Sequence, residues 1–130
     1  MNPPRWPLLL GALLTTLAIA LAALGSHALP DIMIDPVRAH RFNTALSLHQ
    51  FNALGLVLMG LACFVRPGNR LWRMAALMLT SGIVLFSGNL YLLAFTLKTP
   101  ATWLTPLGGL LLMAAWLCFA LGAVRKDQGY

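Results

Sequence analysis

From Met74 to Leu97 the chain carries no charged residue, and that stretch is long enough to cross a lipid bilayer as a helix. A hydrocarbon core about 30 Å thick is spanned by roughly 20 residues at about 1.5 Å each. Ser87, Gly88, Asn89 and Tyr91 nevertheless lie in its second half. Polar atoms at that depth face protein or water rather than lipid tails, so this segment is expected to be an inner, packed helix. The rest of the chain repeats the pattern. Of its 130 residues 59% are hydrophobic and 9% charged, whereas a soluble domain carries about 25% charged residues. The residues therefore read as one integral membrane domain over 1–130, all-α, with spans at about 8–25, 44–65, 74–97 and 105–124.

The net charge is +6 and Glu does not occur. Basic residues flank the apolar runs instead of gathering on one face, which suits anionic lipid headgroups and argues against nucleic acid. Cys63 and Cys118 fall inside apolar runs and read as small hydrophobes. The first run has the outline of a signal peptide, but Gly11, Thr15, Ala18, Ala22 and Gly25 place small residues on one helical face, which favours an uncleaved span that another helix approaches closely. Residues 26–35 read as a loop. Asp35-Pro36 reads as an N-cap with proline in the first turn, opening one long helix to about Val65. Its first turns, with Arg38, His40 and Arg41, are expected at the membrane interface. Arg66-Pro67-Gly68-Asn69-Arg70 is a basic turn, Thr99-Pro100 ends the third span, and Thr105-Pro106 repeats the cap-plus-proline signal for the fourth. Gly108, Leu111, Ala115, Cys118 and Gly122 form that span's close-packing stripe.

Four spans joined by short connections predict an up-and-down bundle with a short interfacial extension leading into the second span. Arg5, Arg66, Arg70, Arg73, Arg125 and Lys126 then share one side, against Arg38, Arg41 and Lys98 on the other. The positive-inside rule puts both termini in the cytoplasm.

Ala45, His49, Asn52, Met59 and Cys63 fall near one line of the second helix. On the third, Thr80, Ser87 and Tyr91 share one flank, Gly82 and Asn89 the other, and Leu77, Val84, Leu85 and Leu92 form the ridge expected to meet lipid. The candidate ligand-binding set is His27, His49, Asn52, Ser87, Asn89 and Tyr91, all in the outer half of the bundle. Read as packing, the same residues make interhelical hydrogen bonds; read as a site, they line an outward-facing pocket for a headgroup, a quinone-like molecule or an ion. A metal or haem centre on His27, His40 and His49, with Met59 and Cys63 further along, is disfavoured, because no histidine has a second ligand at i+3 or i+4. No catalytic residue, metal or cofactor is assigned. With no Glu, no Asp within a span and no nucleophile beside a base, the reading leans against an enzyme. Partners expected are membrane lipids and a larger membrane complex or further copies of the chain. The leading function is a non-enzymatic accessory or lipid-organising subunit.

Ala23-Leu24-Gly25-Ser26-His27-Ala28-Leu29, Arg41-Phe42-Asn43-Thr44-Ala45, Leu85 to Leu93, and Thr105-Pro106-Leu107-Gly108-Gly109-Leu110 together resemble the small bacterial inner-membrane family called domain of unknown function 423. The chain is also similar to the eukaryotic transmembrane protein 256 group. The resemblance implies four transmembrane helices and no established biochemical role. It includes one departure: Phe51-Asn52 stands where family members often have an aromatic-His pair, and His49 where they have glutamine.

Overall fold

The computed structural model describes residues 2–125, which form helices joined by short connections, with no strand among them. The order is α1 (Trp6–His27), α2 (Pro30–Met33), α3 (Pro36–Val65), α4 (Arg70–Ile83), a π-helical turn (Val84–Gly88), α5 (Asn89–Thr96) and α6 (Leu104–Val124). The stretch from α4 through the π turn to α5 is one continuous rod. Among the described residues four helical segments are then long and apolar enough to cross a membrane: α1, α3, this rod and α6. The expected spans fall inside them, except that the rod stops at Thr96, where Leu97 turns into the left-handed region with φ 59°. Lys126 and Asp127, the former counted in the charge asymmetry, lie outside the described residues.

Local chemistry sets most of the ends. Asp35 Oδ1 accepts from the N–H groups of Val37 and Arg38 at 2.9 and 3.3 Å, with Pro36 in the first turn, so α3 starts as the residues predict. Asn69 caps α4 in the same way, accepting from Leu71 and Trp72, while its Nδ2 donates to the Gly122 carbonyl at 2.8 Å. The tight basic turn is therefore also a clamp on the end of α6.

Two local expectations are corrected. Residues 26–35 are not a plain loop: α1 continues to His27, and Pro30 opens the single turn α2, which buries Ile32 against Phe42 and Ala94. Thr105 is not an N-cap either. α6 begins at Leu104 after Trp103, with no side-chain cap bond, and the Thr105 hydroxyl, already inside the helix, accepts from Asn89.

In a bilayer, apolar helices gain little by leaving lipid for each other, so close approach and dispersion decide which faces pair. α1 lies on α3 with Gly11 against the backbone of Ala53 and Val57; a Cβ at Gly11 would meet Val57 N at 2.8 Å. α6 lies on the π turn in the same fashion, and a Cβ at Gly108 would come within 2.5 Å of Phe86 N. The small-residue faces foreseen on these helices are thus their contact faces. Between them Leu56, Met59, Ala75, Ala76, Leu79, Ile83, Leu112 and Ala115 form the main buried cluster. Leu77, Val84 and Leu92 point outward as the expected ridge requires, whereas Leu85 is half-buried, with its backbone against Gly108.

Candidate functional site

The buried line of α3 is the floor of the polar cluster. Ala45, His49, Asn52, Met59 and Cys63 are all buried, as their helical spacing requires. Opposite them, Ser87 Oγ donates to the Ala45 carbonyl at 2.8 Å, and Tyr91 Oη lies 3.0 Å from His49 Nδ1. The phenol ring meets the imidazole edge-on, with centroids 5.9 Å apart, and Phe42 covers its other side at 5.6 Å. The Tyr91 hydroxyl donates to Nδ1 in the tautomer that carries the imidazole proton on Nε2, and accepts from Nδ1–H in the other. The imidazole also lies against the Leu14 backbone of α1, but Nε2 itself makes no hydrogen bond of ordinary geometry.

Asn52 is oriented without ambiguity. Its Nδ2 donates back to the Leu48 carbonyl at 2.8 Å, and its Oδ1 accepts from Trp116 Nε1 at 2.9 Å. An indole N–H can only donate, so the carboxamide cannot be flipped.

Asn89 serves the other flank. Its Nδ2 donates to Thr105 Oγ1 at 2.8 Å, and its Oδ1 accepts from Thr99 Oγ1 at 2.7 Å. The side chain ties the connection between α5 and α6 to the start of α6. The division into two flanks foreseen from the residues holds, with Ser87 and Tyr91 turned to α3 and Gly82 and Asn89 turned to α6. Thr80 is the exception in detail, since its hydroxyl bonds Ala76 on its own helix. The π turn between these residues was not foreseen. Such i→i+5 turns often occur where a helix must present groups in directions a regular helix would not allow.

His27 is not part of the cluster. It is exposed at the end of α1, because the helix runs past Gly25 and carries it outward. His40 is exposed as well, and among the described residues no three His, Cys, Asp or Glu side chains converge. Arg38 has a more specific partner than the membrane interface alone: its Nε donates to the Ala94 carbonyl at 2.7 Å and its Nη2 to Phe95 at 3.2 Å, closing the C-terminus of α5. Arg41 is half-buried near the same end.

Sequence reasoning missed Trp116, Thr99 and Asn69. The available signal for Trp116 was a mid-span indole, whose N–H needs an acceptor when buried. Chemically the cluster is a set of matched donors and acceptors, His49 Nε2 excepted. His49 and Tyr91 are its only pair capable of exchanging a proton among the described residues; His49 is buried, and Tyr91 is half-buried against Phe42.

Comparison with known proteins agrees with this membrane architecture. Residues 21–109 match the family model described as protein of unknown function (DUF423). The chain is 32% identical over 118 residues to UPF0382 membrane protein SH2409 of Staphylococcus haemolyticus, covering 91% of this chain and 94% of the relative. It is 32% identical over 118 residues to UPF0382 membrane protein YwdK of Bacillus subtilis, covering 91% and 95%. It is likewise 32% identical over 125 residues to UPF0382 inner membrane protein YgdD of Escherichia coli K12, covering 95% and 93%. No solved structure matches the chain. With four membrane-length helices and relatives matched over nearly their whole length, the chain is an integral membrane protein that belongs to the DUF423 family.

Proposed function

We propose that the protein is a non-enzymatic accessory bundle of the bacterial inner membrane, which packs against other membrane components and orders the lipid around it. The observation that carries this reading is the mutual satisfaction of the buried polar groups. Ser87 bonds Ala45, Tyr91 pairs with His49, Trp116 with Asn52, and Thr105 and Thr99 with Asn89. Groups spent on each other hold helices together and have little left for a ligand. Interhelical hydrogen bonds in membranes contribute about 0.6 kcal/mol on average, up to about 2, and leaving the groups unpaired costs more.

A small-molecule, headgroup or ion site on the same residues is the second reading, and one observation favours it: the buried Nε2 of His49, although it lies near the Leu14 backbone, makes no hydrogen bond of ordinary geometry. The readings separate when His49→Ala and Asn89→Ala are purified in native lipid. Packing predicts that both lower the thermal midpoint and leave the copurifying lipids and proteins unchanged. Selective loss of one copurifying small molecule from a variant that remains folded would favour the site.

Orientation belongs to the same proposal. Arg5, Arg66, Arg70, Arg73 and Arg125 gather at the end where α3 and α6 finish, while Asp31, Asp35, Arg38, Arg41 and Lys98 share the other. The strongly basic end suits the cytoplasmic leaflet, which places both termini there. It also bears a recess of about 300 Å³ on α4, lined by Arg70, Arg73, Met74 and Leu77. Terminal fusions to a reporter active only in the periplasm should be silent; activity at either terminus contradicts this orientation.

A further inference from the structure

The geometry points to a homodimer formed through the outer face of α3, with Gln50 of each copy bonded to Gln50 of the other. α3 buries three sides of itself. α1 covers one, through Gly11 against Ala53 and Val57 and Gly25 against Phe42. The rod from α4 to α5 covers the second, and Trp116 of α6 closes the third against Gly55 and Phe51. The remaining face carries Asn43, Ser47, Gln50, Leu54 and Leu61, which recur at helical spacing and are all exposed.

Gln50 is the residue that does not belong on a lipid-facing surface. In the antiparallel register of α1 and α3, Val57 meets Gly11 and Phe42 meets Gly25. Gln50 lies midway between Phe42 and Val57, so it is level with the middle of α1, about 15 Å from either end at the usual rise. α6 agrees, because Trp116 near its middle bonds Asn52 on the next turn of α3. A glutamine side chain is too short to reach a headgroup from there. Among the described residues its carboxamide has no hydrogen-bond partner. Polar side chains at such depth are found facing other helices, and an amide in hydrocarbon is costly until it is paired.

A second copy is the occupant this face fits. Copies inserted the same way round in one membrane are related by a two-fold axis along its normal, and residues near the axis meet their own equivalents. A carboxamide is donor and acceptor at once, so paired Gln50 side chains satisfy each other symmetrically. The Ser47 hydroxyl, one turn nearer the outer end, has the same property. Leu54 and Leu61 continue the face with plain packing. The inference rests on the reading of the bundle as an association module and names its face and partner. It uses the side of α3 opposite the buried polar cluster.

Cysteine cross-linking of the full-length protein in native membranes tests it. Ser47→Cys and Leu54→Cys are oxidised beside wild type, whose Cys63 is buried and Cys118 half-buried, and beside Leu117→Cys on the outer face of α6. The expected result is an adduct of twice the monomer mass from the α3 variants and none from wild type or Leu117→Cys. Adding Gln50→Leu should weaken association about tenfold, as expected for loss of a mutual pair of membrane hydrogen bonds. Since Gln50 is exposed, that variant should keep wild-type yield and helix content. A dimer that survives Gln50→Leu unchanged, or an equal adduct from Leu117→Cys, overturns the proposal. An adduct of another mass overturns it too, but leaves the association reading standing with a different partner. Absence of any adduct, in a protein that also purifies alone from native lipid, brings down both.

Discussion

Trp116 on α6 reaches past Gly55 to bring its indole N–H within 2.9 Å of Asn52 Oδ1 on α3. A Cβ at position 55 would lie 2.5 Å from Trp116 Cζ2, so the glycine is what lets the ring through. The Nδ2 of Asn52 already donates to the Leu48 carbonyl. Removing either partner leaves a buried polar group with nothing to bond, which is why this contact joins α3 and α6 although α6 packs mainly on the rod from α4 to α5.

Gly108 and Gly88 provide a matched comparison. A Cβ at Gly108 would meet the backbone of Leu85 and Phe86 at 2.5–2.9 Å, whereas one at Gly88 meets nothing within 4 Å. Gly108→Ala should destabilise the protein by about 1–3 kcal/mol, the usual cost of overpacking against backbone that cannot move aside. Gly88→Ala should be neutral or slightly stabilising, because glycine is the poorer helix former. Thermal unfolding in mild detergent, followed by circular dichroism, distinguishes them; equal midpoints would contradict the close approach of α6 to the π turn.

Leu97 holds φ at 59°, a conformation that costs a residue with a Cβ about 1–2 kcal/mol. Glycine avoids that cost but brings more freedom to the unfolded chain, worth about 0.5–1 kcal/mol. Leu97→Gly should therefore stabilise by about 0.5–1 kcal/mol, visible as a rise of the thermal midpoint. Its side chain is 59% exposed, so little packing is lost. A lower midpoint would show that Leu97 contributes more as a membrane contact than it costs as a turn.

Arg38 closes α5 from the first turn of α3. Arg38→Gln should cost about 1 kcal/mol, the scale of a cation at a helix C-terminus. Amide exchange should rise first at Leu97, which bonds the Leu93 carbonyl beside those used by Arg38. Loss of stability in Arg41→Gln equal to that in Arg38→Gln would mean a general headgroup effect instead.

Much of this fold was legible because membrane spans follow from charge and length alone, and the polar flanks follow from helical angle. Ser87, Tyr91, His49 and Asn89 were assigned to the interior on that basis, and they are there. What stayed hidden depends on partners distant in the chain. Thr105-Pro106 carries the same local signal as Asp35-Pro36, yet α6 starts before it at Leu104 and the Thr105 hydroxyl accepts from Asn89. His27 reads as part of the cluster because it follows the first span closely, but the helix continues two residues further and His27 is exposed at its end. Trp116 was overlooked because an indole in an apolar run looks like packing until its acceptor is known. The π turn has no signature in residue type, since Val84–Gly88 would also suit an ordinary helix.

The central claim is that the buried polar side chains are bonded to one another across helices, and a double-mutant cycle on Asn52 and Trp116 tests it most directly. Asn52→Ala, Trp116→Phe and the double variant are unfolded by denaturant titration in one detergent. The account predicts that the double variant loses less stability than the sum of the single losses, by about 0.6 kcal/mol and up to about 2. Losses that simply add, with no coupling between the positions, would contradict it.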